Sequence, residues 1–173
     1  MAEHIGPYEI LGKLGSGGMG TVYRARDTRA ATAPDTLVAL KVLKDEVAED
    51  PELARRFEQE ANTLRKLDHE NIVRLLEYGA DGDDYYIAME LVEGESLQQR
   101  LRREGRLPEG EVRRIGMAVA AALEAAHGQR IIHRDIKPGN ILLGADGSVV
   151  PRTVQPRTAR QFLDRRLQFV PER

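Results

Sequence analysis

Residues 133–140, His-Arg-Asp-Ile-Lys-Pro-Gly-Asn, look like a catalytic loop, with a carboxylate, an ammonium group and an amide close together in the chain. Two other sets of residues carry possible chemistry. In LGSGGMGTV, Gly15, Gly17 and Gly20 form the pattern G-x-G-x-x-G. A glycine loop between two antiparallel strands can fold over phosphate oxygens, because its bare N–H groups approach them closely. The same pattern also suits an ordinary hairpin turn, and dinucleotide-binding folds share it. Here Gly20 is followed by Thr-Val-Tyr-Arg-Ala-Arg, whose β-branched and aromatic residues favour a strand where a dinucleotide fold requires a helix. The last set is Lys41 and Glu60. Lys41 shares a strand face with Ala39 and Leu43, and Glu60 stands in an apolar helical stripe with Leu53, Phe57, Leu64 and Leu67. Burying either charge alone costs several kcal/mol, so two misfits of opposite sign point to a pair. Beside a phosphate-cradling loop, a lysine held by a carboxylate would neutralise phosphate charge.

The elements that must position these groups can be read from pattern. Residues 8–14 and 20–26 are strands around the glycine loop, and Leu37 to Leu43 is a third, with Val38, Leu40 and Val42 on one face. A helix follows, with Asp50 as N-cap and Pro51 at its first position, running through Leu67. Strands near 72–79 and 84–91 are joined at Asp81-Gly82. Helices are expected at about 96–104 and 108–127, the second with Val112, Ile115, Val119 and Leu123 on one side. A hairpin from Ile141 to Val150 turns at Asp146-Gly147.

Composition bounds the function. With 173 residues, 41% hydrophobic and 31% charged, the chain can bury a core and is globular rather than disordered. A net charge of −2 gives no reason to expect nucleic acid or an anionic membrane as partner. The absence of cysteine excludes disulfides, thiolate chemistry and Cys-based zinc sites. His4, His69, His127 and His133 are scattered and suggest no ligand set. The opening residues lack a secretory signal and no apolar run is long enough for a membrane helix, so a cytoplasmic location is expected. Residues 148–173 differ from the rest: six Arg face Asp164 and Glu172, a local net of +4 that leaves −6 on the other 147 residues.

Taken together, G-x-G-x-x-G-x-V at 15–22, V-A-L-K at 38–41 and H-R-D-I-K-P-x-N at 133–140 resemble the protein kinase family, and LGSGGMGTVYRARD resembles bacterial serine/threonine kinases of the eukaryotic type. The resemblance covers roughly residues 6–150. It implies an α+β, protein-kinase-like fold: an N-lobe over 6–92 with an antiparallel sheet and one long helix, a partial C-lobe over 93–150, and a divergent tail over 151–173. It implies ATP and Mg²⁺ as cofactors and proteins bearing Ser or Thr hydroxyls as substrates. By resemblance, Leu14, Gly15, Gly17, Gly20, Val22 and Ala39 would cover the nucleotide, with Leu142 below the adenine. Met89 would guard the back of that pocket, and Glu90 and Val92 would offer backbone hydrogen bonds. Lys41 would contact the α- and β-phosphates and be held by Glu60, Asp135 would accept or orient the substrate hydroxyl, Lys137 would touch the transferred phosphate, and Asn140 would ligate magnesium. His133 would be structural, and Arg134 would pair with a phosphorylated activation loop.

The departures are as specific as the matches. The family carries Asp-Phe-Gly after the hairpin, its aspartate being the principal magnesium ligand. Spacing from Asn140 puts that position at Thr153, Val154 and Gln155, none of them acidic, and the only acids beyond Asn140 are Asp146, Asp164 and Glu172. The activation loop and Ala-Pro-Glu segment are also missing from this sequence. Transfer is therefore expected to be impaired, the alternative being a non-catalytic nucleotide-binding or regulatory protein. The tail reads as a short amphipathic helix over about 157–169 or as the product of a frame disruption.

Overall fold

The computed structural model describes residues 3–17, 20–30, 37–43, 55, 58, 59, 61, 62, 64–133 and 135–151. The expected N-cap at Asp50, the positions Leu53, Phe57 and Glu60, Arg134, and the whole tail with its expected helix lie outside the described residues. The described residues form two compact units, one from residues 3–63 and 76–89, the other from 64–75 and 90–151.

The first unit is built on a six-stranded sheet in the order β1-β2-β3-β4-β6-β5. Its strands are β1 (His4–Ile5), β2 (Tyr8–Gly17), β3 (Gly20–Asp27), β4 (Leu37–Leu43), β5 (Leu75–Asp81) and β6 (Asp84–Glu90). β1 to β4 pair antiparallel. Ile5, Tyr8, Ala25, Val38, Leu40, Val42, Tyr86 and Ala88 make its core, so Val38, Leu40 and Val42 share the inward face as their alternation predicts. The sheet curls. Tyr8 Oη in β2 donates to Glu77 Oε2 in β5 at 2.8 Å, and the Gly6 N–H donates to Asp81 Oδ2 at 2.7 Å, bringing two far-apart edges of the strand order together. Arg29 bonds both Asp27 and Glu77 and lies 5.5 Å over the Tyr8 ring, and Tyr8 meets Tyr86 edge-on at 5.6 Å.

The second unit holds a three-stranded sheet, β7 (Gly94–Ser96), β8 (Ile141–Gly144) and β9 (Val149–Pro151), with helices α1 (Leu97–Glu104) and α2 (Glu109–Gly128). Ser96 caps α1 in a capping box with Gln99, whose side chain accepts from the Ser96 N–H at 2.8 Å. Ile115 of α2 packs with Ile141, Leu143 and Val149, and Leu97, Leu107, Ala118 and Val119 close round them. Asn71 Nδ2 donates to the Val149 carbonyl at 3.0 Å, fastening the 64–75 segment to the hairpin.

Four sequence expectations are corrected. β2 runs on to Gly17, so the glycine motif is mostly paired strand rather than loop. Helical backbone among the described residues ends at Leu64; Leu67 is buried but follows a turn in which its N–H bonds the Leu64 carbonyl. β5 ends on Asp81, so the turn is Gly82-Asp83. In α2, Val112 is 54% exposed, because the buried side runs through Ile115, Ala122 and Ala126. Small alanines made that face hard to see in a hydrophobic pattern.

Candidate active site

In the first unit, register assembles the glycine motif with the lysine strand. Gly15 pairs with Val22 and Gly17 with Gly20 across β2 and β3, while Gly20 pairs with Leu43, Val22 with Lys41 and Arg24 with Ala39 across β3 and β4. Directly opposed residues share a face, and alternate residues return to it, so Gly15, Gly17, Gly20, Val22, Ala39 and Lys41 lie together on the face opposite the core. Leu14 falls in the irregularity between Lys13 and Gly15 and is exposed. Gly20 has a structural demand of its own. Its φ is +139°, and a Cβ there would stand 2.0 Å from the Val42 carbonyl oxygen. The third glycine thus lets β3 lie against β4 beside Lys41.

Lys41 is 4% exposed, a buried cation on that face. Its expected partner, Glu60, lies outside the described residues. Met89, near the end of β6, is half-buried and Glu90 is exposed. The Glu90 N–H donates to the Arg74 carbonyl at 3.0 Å and is thus committed within the protein. Val92 lies in the link from β6 to β7.

In the second unit, β8 sends Ile141 and Leu143 into the core, and Leu142 between them faces the other way, opposite Ser96 and Val150. β7 was not foreseen. It is three residues long and pairs with a strand far along the chain. Gly94 is needed there, since a Cβ would stand 2.0 Å from the Leu143 carbonyl oxygen.

The catalytic-loop candidates meet at Asp135. Asn140 Nδ2 donates to Asp135 Oδ2 at 2.7 Å and to the Asp135 carbonyl at 2.9 Å, and Lys137 Nζ lies 2.9 Å from the same Oδ2. Pro138–Asn140 forms a 3₁₀ turn that closes with the Asn140 N–H on the Lys137 carbonyl at 2.8 Å. The Asp135 N–H donates to the His133 carbonyl and leans on His133 Nδ1 at 3.3 Å, so this imidazole holds loop backbone. The Lys137 hydrogen bond, aided by Asn140, holds the Asp135 carboxyl below the usual carboxylate range against a smaller opposing effect of burial. Asp135 is thus an anion at neutral pH. With its nitrogen committed to Asp135, Asn140 presents its amide oxygen, a hard donor that suits magnesium. Among the described residues no group of three or more His, Asp or Glu side chains could hold a metal.

Comparison with known proteins agrees with these motifs. Residues 8–150 match the family described as the protein kinase domain. The chain is 42% identical over 144 residues to the serine/threonine-protein kinase PrkC of Bacillus subtilis, 83% of this chain and 22% of that protein. It is 40% identical over 164 residues to PkaB of Streptomyces coelicolor, 94% of this chain and 38% of that one. The crystal structure of the Mycobacterium tuberculosis PknI kinase domain superposes with a TM-score of 0.76 at 32% identity, covering 91% of this chain and 63% of that one. The chain therefore spans about a fifth of the length of PrkC and about three fifths of the solved kinase domain. With its α+β architecture, curled sheet and ordered motifs, it belongs to the protein kinase domain family, among relatives that are bacterial serine/threonine kinases.

Proposed function

We propose that the chain binds Mg·ATP and carries the apparatus for transferring the γ-phosphate to Ser or Thr hydroxyls of proteins, with the transfer step impaired. The observation that carries this reading is the convergence of Lys137 and Asn140 on the Asp135 carboxylate. Magnesium, when bound, would neutralise the phosphate oxygens. Asn140 would hold it through the amide oxygen, Lys41 would fix the inner phosphates, and Lys137 would meet the phosphate in transfer. Asp135 Oδ1 takes no hydrogen bond among the described residues and is the atom to accept from an incoming hydroxyl. Its lowered pKa makes it an orienting acceptor that gains the proton late, when the hydroxyl oxygen has become acidic.

The transfer step is impaired because Thr153, Val154 and Gln155 supply no carboxylate where the family's main metal ligand stands. Positioning and charge neutralisation do most of the work in phosphoryl transfer. Losing a metal clamp removes about a thousandfold or more in rate. The same absence favours a second reading, a non-catalytic nucleotide binder that acts by association.

Phosphate incorporation from Mg·ATP into a generic Ser/Thr protein, with Asp135→Asn as control, tests the first reading. Transfer should be barely above that control and should rise when Thr153, Val154 or Gln155 is changed to Asp. Fast, Asp135-dependent transfer by the unaltered chain overturns the impairment. For the second reading, Mg·ATP should raise the melting temperature, and Lys41→Met should abolish the rise.

A further inference from the structure

Helix α1 lies against the catalytic loop at the one position of its 3₁₀ turn that has no side chain. Gln98 Oε1 lies 2.9 Å from where a Gly139 Cβ would stand, so the glycine leaves its place to the glutamine. Gln98 is exposed, and its amide makes no hydrogen bond among the described residues. Arg102 follows one turn later on the same side of α1, exposed and without an ion pair among the described residues. The acids around this helix are already occupied. Glu95, Glu104 and Glu111 each meet Arg100 or Arg103. What α1 leaves unused on this side is therefore an amide and a guanidinium, both hydrogen-bond donors. Their distance from the chemistry is bounded. The Asn140 Nδ2–Asp135 Oδ2 bond of 2.7 Å, one asparagine side chain and one Cα–Cα step put Gly139 within about 10 Å of the Asp135 carboxylate. An extended chain covers that in about three residues, and Arg102, about 6 Å farther along the helix, adds roughly two more.

We infer that Gln98 and Arg102 form a specificity subsite for the protein substrate, taking a carboxylate side chain about three to five residues from the accepting hydroxyl. Arg102 pairs with the acid, and the Gln98 amide donates to it over the gap that Gly139 leaves. A substrate lysine or arginine meets a like charge there. The inference rests on the proposal that Asp135 receives a Ser or Thr hydroxyl of a protein.

Fluorescence anisotropy of labelled Ser peptides with Ala flanks, titrated with the full chain, tests it. One series carries Asp and the other Lys, about three to five residues to either side of the Ser. The Asp series should bind about three- to tenfold tighter, the span of one exposed pair gained against one repelled, and salt at about 0.5 M should narrow the gap. Arg102→Glu should reverse the order, and Gln98→Ala should weaken the Asp series alone. Both side chains are exposed, so melting temperatures should hold; if Arg102→Glu does not fold, Arg102→Gln should bring the two series together. Equal binding of the two series, or an order that the Arg102 variants leave unchanged, overturns the inference while the proposed function stands. If neither series binds, the inference falls together with the protein-substrate reading, and the melting shift with Mg·ATP then judges the nucleotide reading alone.

Discussion

The two units hold their chemical groups by opposite means. In the first, the nucleotide candidates are set by backbone register: Lys41 is opposite Val22, Val22 opposite Gly15, and Gly20 lies against β4 with no room for a side chain. Lys41 is buried at 4% exposure. In the second, Asp135 and Lys137 have side chains that are 51% and 58% exposed, and mutual hydrogen bonds hold them in a short loop. Substitutions in the first unit at positions packed against a neighbouring strand, such as Gly20, should therefore be felt mainly as lost stability. Those in the catalytic loop should be felt mainly as lost chemistry.

The largest effect is expected at Gly20. Alanine there combines an unfavourable φ with a Cβ on the Val42 carbonyl, and should cost about 2–4 kcal/mol in urea denaturation. Gly15 shares the motif, yet nothing lies within 4 Å of where its Cβ would stand. Gly15→Ala should change stability by about 0.5 kcal/mol or less while weakening Mg·ATP binding. Equal destabilisation by the two would break the claim that one glycine serves the fold and the other the ligand. Gly94→Ala is the counterpart in the second unit and should cost about 1–3 kcal/mol, since β7 must give way from β8.

Next in size is the closure of the curled sheet. Tyr8→Phe deletes the hydroxyl that donates to Glu77 and should cost about 1 kcal/mol, with Arg29 still pairing that carboxylate. The hydrogen bonds from Arg29 hold the Asp27 and Glu77 carboxyls below their ordinary range. A depressed carboxylate stabilises the fold above its unfolded pKa, about 4, and that contribution is lost as pH falls through the folded value. The melting temperature should accordingly drop between about pH 5 and pH 3. Arg29→Met should lower stability at neutral pH and flatten that drop. A variant with the unaltered chain's slope would show that other carboxylates carry it.

How much of this was legible in the sequence follows from distance along the chain. β4 was legible to the residue and the hairpin turn to within one position, its centre being Ala145-Asp146 with the Gly147 N–H on the Gly144 carbonyl, because alternation and turn chemistry are local signals. The glycine, lysine and catalytic-loop motifs pointed to a candidate site for the same reason. The Tyr8–Glu77–Arg29 closure and the pairing of Gly94 with Gly144 were not legible, since each joins residues about 50 or more positions apart, and no local pattern encodes which acid meets which base. The buried side of α2 was misjudged at Val112 because Ala122 and Ala126 bury little area and leave a faint stripe.

The smallest stability effect, and the clearest separation between the units, is expected at Lys137. Its ion pair with Asp135 is more than half exposed, where water screens the attraction and fixing a long side chain costs entropy, so Lys137→Met should change stability by about 0.5 kcal/mol or less. Its effect on Asp135 should be larger, because the Lys137 hydrogen bond is the leading cause of the depressed pKa. An NMR titration of the Asp135 carboxyl should show its midpoint rising toward the ordinary aspartate value in Lys137→Met. It should rise less in Asn140→Ala, which removes a weaker contribution. Added salt at about 1 M shortens the screening length to about 3 Å and should erode the shift at Asp135 in the unaltered chain. The less exposed Glu77 should keep more of its own shift. If salt moved both carboxylates equally, the contrast between a register-built unit and a solvent-facing loop would lose its electrostatic half, leaving only the glycine series to support it.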